Sequence, residues 1–276
     1  MSRIIWLASY PKSGNTWMRA FLANYLIGRE DPVAIEDLRA FSLSDVRPRF
    51  YAEALSKSVQ EMTAEESVTL RPLAQQRLAA AREHDHFVKT HSRFGMLNGT
   101  HLINRSVSAG AIYIVRNPAD IVPSYASHMG VETDAAIEIM ADRDHATVEA
   151  DVQILTHLGR WGDHAESWID GSHSLPVCVV RYEDLYADPE KAFGQVLKVL
   201  GLPFDRERLA RSVRHSSFEE LRRQEKEKGF SERPPHMQRF FRSGTSGEGQ
   251  QALSEGQLAR LVRDHGPVMK RFGYLR

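Results

Sequence analysis

The chain has one cysteine in 276 residues, and it has no long apolar run. A single cysteine, Cys178, excludes an internal disulfide framework and is typical of a reducing compartment. No window approaches the ~18 consecutive apolar residues of a membrane-spanning helix. An apolar strand begins within a few residues of the first methionine, which leaves no room for a signal peptide. These absences predict a cytoplasmic protein without a transmembrane segment.

Net charge is also lacking, since 36 basic and 36 acidic residues cancel. Broad nucleic-acid binding needs a basic face, so no nucleic-acid partner is expected. The 12 histidines include no His-x-x-x-His pair, and no second cysteine is present to ligate a metal ion, so no metal is predicted. Functional charge is therefore expected to be local.

One strand-loop-helix segment near the N-terminus is the most informative feature. Residues 4–8 (IIWLA) predict an apolar strand, and residues 15–27 have helical spacing. A loop that leads into a helix directs backbone N–H groups and the positive end of the helix dipole at one point, which binds an anion. Lys12 adds a charge, and Gly14 permits close approach. The order differs from the triphosphatase loop, which needs Gly-Lys-Ser/Thr, and a plain turn with a surface lysine remains an alternative.

A second strand-to-helix junction follows residues 111–115 (AIYIV). Arg116 stands at the end of this predicted strand, the edge where ligands bind in open α/β sheets. Asn117 and Pro118 are typical of a helix N-cap and first position, and Ser124 lies about two turns further along. The two junctions together suit a ligand that carries phosphates at two ends.

Six segments, in chain order, resemble motifs of one family. The family is that of the cytosolic-type sulfotransferases, which use 3′-phosphoadenosine 5′-phosphosulfate (PAPS) as donor. In size the chain is similar to bacterial members of the family that act on small molecules. The segments are residues 10–17 (YPKSGNTW, the 5′-phosphosulfate loop), 89–91 (KTH, the catalytic-histidine segment), 116–125 (RNPADIVPSY, the 3′-phosphate site), 179–185 (VVRYEDL), 215–218 (HSSF, the adenine side) and 241–247 (FRSGTSG, the C-terminal motif).

The resemblance implies a donor-binding site. Residues 12–16 would hold the 5′-phosphosulfate, and Trp17 and Phe218 would sandwich the adenine. Arg116 and Ser124 would bind the 3′-phosphate. The complete set is Lys12, Ser13, Gly14, Asn15, Thr16, Trp17, Arg116, Ser124, Tyr182, Ser216, Phe218, Arg242, Ser243 and Gly244.

The resemblance also implies a reaction. His91 would be the general base, and Lys12 and Lys89 would stabilise the transferring group and the leaving phosphate. The acceptor would be a hydroxyl, or an amine, of a small-molecule or lipid-like compound, and the product would be adenosine 3′,5′-bisphosphate (PAP). Outside its context, His91 would be expected to have a structural role instead.

Two positions and one segment depart from the family pattern. Asn15 stands where threonine is usual, and Ser243 replaces a lysine, which removes one positive charge from the predicted 3′-phosphate site. Residues 247–253 (GEGQQAL) lack the family's aromatic and basic residues. Two other functions remain open: a nucleotide-dependent small-molecule kinase, against which the order of the loop counts, and a catalytically silent nucleotide-binding protein.

The alternation of strands and helices predicts an α/β fold: a single P-loop-like domain over residues 1–276, with three α/β/α layers and a central parallel sheet flanked by helices. Lids are predicted at 29–64 and 224–250, and acceptor-binding loops at 29–64, 92–106 and 128–150; the oligomeric state is left open, a homodimer included. Strands are expected at 4–9, 86–90, 111–116 and 177–182, and helices at 15–27, 65–83, 118–128, 145–170, 188–200, 205–213 and 254–265.

Overall fold

A computed structural model describes residues 2–55, 58–148 and 153–275. The strands are β1 (Ile4–Ser9), β2 (Leu43–Ser44), β3 (His86–Thr90), β4 (Met96–Leu97), β5 (Thr100–His101), β6 (Ser108–Val115), β7 (Ala146–Val148), β8 (Leu155–His157) and β9 (Val177–Arg181). The helices are α1 (Asn15–Ile27), α2 (Leu38–Phe41), α3 (Pro48–Ala52), α4 (Ala64–Ala80), α5 (Pro118–Met129), α6 (Thr133–Ala141), α7 (Trp161–Gly171), α8 (Tyr182–Ala187), α9 (Pro189–Val199), α10 (Arg206–His215), α11 (Phe218–Lys228), α12 (Gly249–Ala252) and α13 (Glu255–Arg271).

Five strands form one sheet in the order β2-β3-β1-β6-β9. β1 runs parallel to β3, with Ile4 opposite His86 and Ala8 opposite Thr90, and β2 runs parallel to the other edge of β3. The four strands expected from apolar runs are all present in this sheet. The predicted α/β class, with a central parallel sheet flanked by helices, is confirmed. Among the helices of the described ranges, none combines the length and the apolar character that crossing a membrane requires.

The chain divides into two compact units. The first contains residues 2–10, Ser42–Tyr113 and Ile139–Val179. Its core includes Trp161 and Trp168, both fully buried. Burial of such large apolar side chains stabilises this unit.

The second unit contains Pro11–Phe41, Ile114–Glu138 and the chain from Val180 onward. The side chain of Asn117 accepts the amide of Ala119 at 3.1 Å and so caps α5, with Pro118 at the first helical position as predicted. This cap fixes where β6 ends and where the following helix starts. Arg116 lies between the end of β6 and this cap residue.

The prediction of one helix over 145–170 is wrong for the described residues before Trp161. β7 and β8 form an antiparallel pair there instead. Two of the three β7 residues are β-branched, which favours a strand, and Gly159 has a φ of 64°, a left-handed conformation that an α-helix does not use. Residues 149–152 of the predicted helix lie outside the described residues.

Candidate active site

The loop between β1 and α1 forms a tight turn that only certain residues can make. Lys12 has a φ of 67° and Gly14 a φ of 104°, so both lie in the left-handed region. A Cβ atom at Gly14 would lie 2.8 Å from Cδ2 of Tyr182, which leaves room only for glycine. Asn15 and Thr16 begin α1, so the amides of its first turn have no partner within the helix. The loop therefore has the geometry of an anion site.

Ser13 and Trp17 add polar atoms to this loop. Ser13 is fully buried, and neither its Oγ nor the buried Nε1 of Trp17 has a hydrogen-bond partner among the described residues. Buried polar atoms without a protein partner commonly bind a ligand or water. The Trp17 ring packs edge-on against Tyr182, with 5.6 Å between centroids.

The ammonium group of Lys12 lies over the ring of Phe240, with 3.7 Å from Nζ to the ring centroid. This is a cation–π contact. The Glu225 carboxylate fixes the backbone beneath it, because it accepts the amides of Phe240 at 2.6 Å and of Phe241 at 3.0 Å. Phe240 thus holds the candidate phosphosulfate lysine in a defined position.

Residues 229–241, the segment that contains Phe240 and Phe241, contact α1 through an ion pair. Arg19, which is 1% exposed, donates to both carboxylate oxygens of Glu232, at 2.9 and 2.8 Å. A two-point arginine–carboxylate pair fixes orientation as well as distance. This segment falls within the predicted lid of 224–250.

Arg116 connects three parts of the second unit. Its Nη1 donates to the carbonyl of Lys12 at 3.2 Å, and its Nη2 donates to the carbonyl of Thr245 at 2.8 Å. Its Cζ lies 4.1 Å from the centroid of the Tyr182 ring. The residue that follows β6 therefore joins the loop after β1 to residues 242–249, here named the C-terminal loop.

The side chain of Asp120 binds backbone amides of the C-terminal loop. Its two carboxylate oxygens accept the amides of Gly247 at 2.8 Å and of Gly249 at 2.7 Å. A Cβ at Gly249 would lie 2.1 Å from the carbonyl oxygen of Ala119, so no larger residue fits there. The loop is thus positioned without the aromatic and basic side chains that it lacks.

Gly244 of the C-terminal loop lies against Phe218, a residue of the predicted adenine side. Gly244 has a φ of 66°, and a Cβ there would lie 2.1 Å from Cδ2 of Phe218. Phe218 is the first residue of α11 and is half-buried. The C-terminal loop therefore passes directly against the ring proposed to contact the adenine.

The other donor-site candidates have different surroundings. Arg242 is exposed and donates to the carbonyl of Pro123 at 2.6 Å, on the helix that also carries the half-buried Ser124. Ser243, next to it, is exposed. The hydroxyl of Ser216 is buried and donates to the carbonyl of Ser212 at 2.8 Å within α10. Its role at the edge of the adenine stays a prediction.

His91 and Lys89 belong to the first unit. Nδ1 of His91 lies 2.7 Å from the carbonyl oxygen of Ser9, the last residue of β1. A carbonyl only accepts, so Nδ1 carries the proton of the neutral ring and Nε2 is the basic nitrogen. Lys89 is a half-buried residue of β3 that pairs with Leu7 of β1.

A buried histidine supports the backbone of His91. Nε2 of His164 lies 3.0 Å from the carbonyl oxygen of His91, and its Nδ1 lies 3.0 Å from the hydroxyl of Tyr113. Nε2 therefore donates to the carbonyl, and Nδ1 accepts from the tyrosine. Burial lowers the pKa of His164 to about 3 and raises that of Tyr113, so both groups are neutral.

A buried ion pair holds the residues on either side of His91. Asp45 accepts from Nη1 of Arg71 at 2.8 Å and from the hydroxyl of Thr90 at 2.9 Å, and Arg71 also donates to Ser92 Oγ at 3.1 Å and to a β8 carbonyl. Burial raises the pKa of Asp45, an effect that Arg71 opposes. Both neighbours of the candidate base are thereby fixed.

Comparison with known proteins decides the family. The model of the sulfotransferase domain family matches residues 2–273. The chain is a member of the sulfotransferase family. Among curated relatives, sulfotransferase 1A1 of the dog is 26% identical over 190 residues, which are 67% of this chain and 62% of the dog protein.

Solved sulfotransferase-type structures share the P-loop-like fold. Retinol dehydratase in complex with androsterone and the inactive cofactor PAP superposes with a TM-score of 0.64 at 18% identity, over 97% of this chain and 80% of that one. Mouse sulfotransferase SULT7A1 complexed with PAP gives a TM-score of 0.61 at 21% identity, over 99% and 89% of the two chains.

Sequence reasoning on this sulfotransferase missed several residues of the site. Asp120 stood inside the 116–125 motif without a role, and Phe240 directly precedes the C-terminal motif. His164 and Arg19 carried no signal beyond helical spacing. No three His, Cys, Asp or Glu residues of the described ranges group as metal ligands, and the absence of a metal stays a prediction.

Proposed function

We propose that this chain transfers a sulfuryl group from PAPS to a hydroxyl, or an amine, of a small-molecule or lipid-like acceptor, and releases PAP. One observation carries the proposal: Arg116 donates to the carbonyl of Lys12, so that the two strand-to-helix anion sites are joined. A nucleotide with anionic groups at both ends suits two linked cationic sites.

The residues of the second unit fit such a donor. The buried Oγ of Ser13 and Nε1 of Trp17 supply hydrogen-bonding atoms, and Gly14 leaves the backbone open to close approach. Lys12, Arg116 and Arg242 supply positive charge. When bound, PAPS would supply the sulfuryl group and a phosphate leaving group.

We assign the proton transfer to His91. Its Nε2 accepts the proton of the acceptor hydroxyl while the acceptor oxygen forms its bond to sulfur and the bond from sulfur to the phosphate oxygen breaks. The Ser9 carbonyl at Nδ1 stabilises the imidazolium that results. Lys12 and Lys89 offset the negative charge that develops on the leaving group and the sulfuryl oxygens.

Relatives support the donor. The two solved structures described above contain PAP, and membership of the sulfotransferase family agrees with the same nucleotide. One of those structures also contains the steroid androsterone, a hydroxylated apolar compound. This favours a hydroxylated small molecule as the acceptor.

Calorimetry with PAP, and with ATP and Mg²⁺ alongside, tests the proposal. We expect micromolar or tighter binding of PAP and weak binding of ATP. PAPS with radiolabelled sulfur, offered with a panel of phenols and alcohols, should then label an acceptor.

Preference for ATP with Mg²⁺ would contradict the sulfotransferase activity and favour a kinase. Tight PAP binding without labelling of any acceptor in the panel would favour a catalytically silent nucleotide-binding protein.

A further inference from the structure

Arg93 follows His91 by two residues, in a segment whose backbone the first unit holds at successive positions. The carbonyls of His91 and Ser92 accept from His164 and Trp168, at 3.0 and 3.2 Å. The amide of Arg93 itself donates to the carbonyl of His157 at 2.9 Å. Since two residues span at most about 7 Å between Cα atoms, Arg93 stands beside the candidate base.

The aliphatic stem of Arg93 packs over Gly159, which has no side chain. A Cβ at Gly159 would lie 3.7 Å from Cδ of Arg93 and 3.0 Å from the carbonyl oxygen of Arg143. Gly159 also has a φ of 64°, which disfavours any other residue. His91 and Arg93 are both half-buried, whereas Thr90 and Ser92 are buried.

The guanidinium of Arg93 has no acidic partner among the residues of the first unit that the structure describes. Its neighbours differ: Arg71 lies 2.8 Å from a carboxylate oxygen of Asp45, and Arg160 lies 2.7 Å from one of Asp163. Nε of Arg93 is buried without an acceptor in the described chain. Within the described residues, the first unit thus has a cation without an acidic partner two positions after the candidate base.

We propose that Arg93 binds a carboxylate of the acceptor, so that this enzyme prefers hydroxylated acids to neutral alcohols and phenols. The inference rests on the proposed function, because the reacting hydroxyl is the one that His91 deprotonates. A guanidinium matches a carboxylate with two parallel hydrogen bonds. His91 and Arg93 are two positions apart in the chain. This short separation suits an acid whose hydroxyl and carboxylate lie at opposite ends of one aromatic ring.

A matched pair of acceptors tests the inference: 4-hydroxyphenylacetate and 4-hydroxyphenylacetamide, with PAPS as donor. The methylene group keeps the two phenols similar in acidity, so the ratio of their kcat/KM values reports recognition of the charge. In Arg93→Gln we expect this acid-to-amide ratio to fall about tenfold or more, since a hydrogen bond to a charged group is worth at least that factor.

Two control variants accompany it. Arg93→Lys keeps the charge and should retain part of the ratio. Arg105→Gln removes an exposed arginine of the same unit and should leave the ratio unchanged. Equal ratios in the wild type and Arg93→Gln would overturn the inference, while turnover of either phenol would still support the proposed function.

Calorimetry with the two phenols, without donor, gives a second readout. Tighter binding of the acid to the wild type, lost in Arg93→Gln, supports the carboxylate site even if neither phenol is turned over. In that case the inference stands, and only sulfuryl transfer to these two phenols fails. Equal binding of acid and amide to the wild type contradicts the inference.

Discussion

The guanidinium of Arg116 lies over the ring of Tyr182, with 4.1 Å from Cζ to the ring centroid. Tyr182 also closes the space above Gly14 and packs against Trp17. One aromatic ring therefore lies against both the strand-to-helix segment after β1 and the arginine that follows β6. This contact fixes the direction in which Arg116 presents its remaining donor atoms.

Arg116→Ala should weaken PAP far more than adenosine 5′-phosphate, because only PAP carries the 3′-phosphate that Arg116 would bind. We expect a loss of roughly tenfold to a hundredfold for PAP, the range for a hydrogen bond to a charged group. Calorimetry with both nucleotides measures the difference. Arg260→Ala, a change on the surface helix α13, is the matched control. Equal weakening of the two nucleotides would exclude the 3′-phosphate role.

His91→Ala should abolish turnover and leave PAP binding within about threefold of the wild type. Removing a general base costs about a hundredfold to ten-thousandfold in rate. All the residues predicted to bind PAPS belong to the second unit, whereas His91 belongs to the first. Binding of PAP should therefore survive the substitution. Rates with labelled PAPS and calorimetry with PAP measure the two effects. An active His91→Ala variant would rule out the base assignment.

Asp120→Ala should release the C-terminal loop, since two backbone amides lose their acceptor. We expect PAP affinity to fall several-fold and limited proteolysis to cut within residues 242–249 faster than in the wild type. Asp134→Ala removes an exposed carboxylate that pairs with Arg260 and serves as the control. Unchanged proteolysis in Asp120→Ala would mean that other contacts suffice to hold the loop.

His164 should make the protein sensitive to mild acid. Burial lowers the pKa of His164 from 6.5 to about 3, so below pH 6.5 the unfolded chain binds a proton that the folded chain does not. The free energy of unfolding therefore falls as the pH falls from 6.5 towards 3. Between pH 6.5 and 5.5 this residue should account for about 1 kcal/mol.

Urea unfolding of His164→Gln at those two pH values measures the contribution of His164. The variant should lose about 1 kcal/mol less than the wild type over this interval. His173→Gln, a change at an exposed position, controls for the loss of a histidine. The same pH dependence in wild type and His164→Gln would show that His164 is not a buried neutral group.

The sequence predicted the features that local patterns determine. The four core strands follow from apolar runs, and the start of α5 follows from Asn117 and Pro118. Helical spacing, from Leu155 and Leu158 to Trp161, Ala165 and Trp168, favours one helix over 145–170. Periodicity alone does not show that the strand pair of β7 and β8 precedes Trp161. Local pattern thus fixes most elements but not all their bounds.

Contacts between distant residues were beyond the reach of the sequence. Asp120 accepts the amide of Gly247, 127 positions further along the chain, and Lys12 meets Phe240, which lies 228 positions after it (240 minus 12). Neither pair has complementary charges or a shared motif. Such contacts depend on how the chain folds back, which only the three-dimensional structure supplies.

The way in which Asp120 holds the C-terminal loop has a consequence for variation and engineering. The carboxylate binds amides, which every residue except proline possesses, so the loop's identity is largely decoupled from its placement. We therefore expect that Ser243, Ser246 and Glu248 can be exchanged without displacing the backbone of the loop. Two glycines limit that freedom, because an added methyl group would strike the backbone of Ala119 at Gly249 and the ring of Phe218 at Gly244.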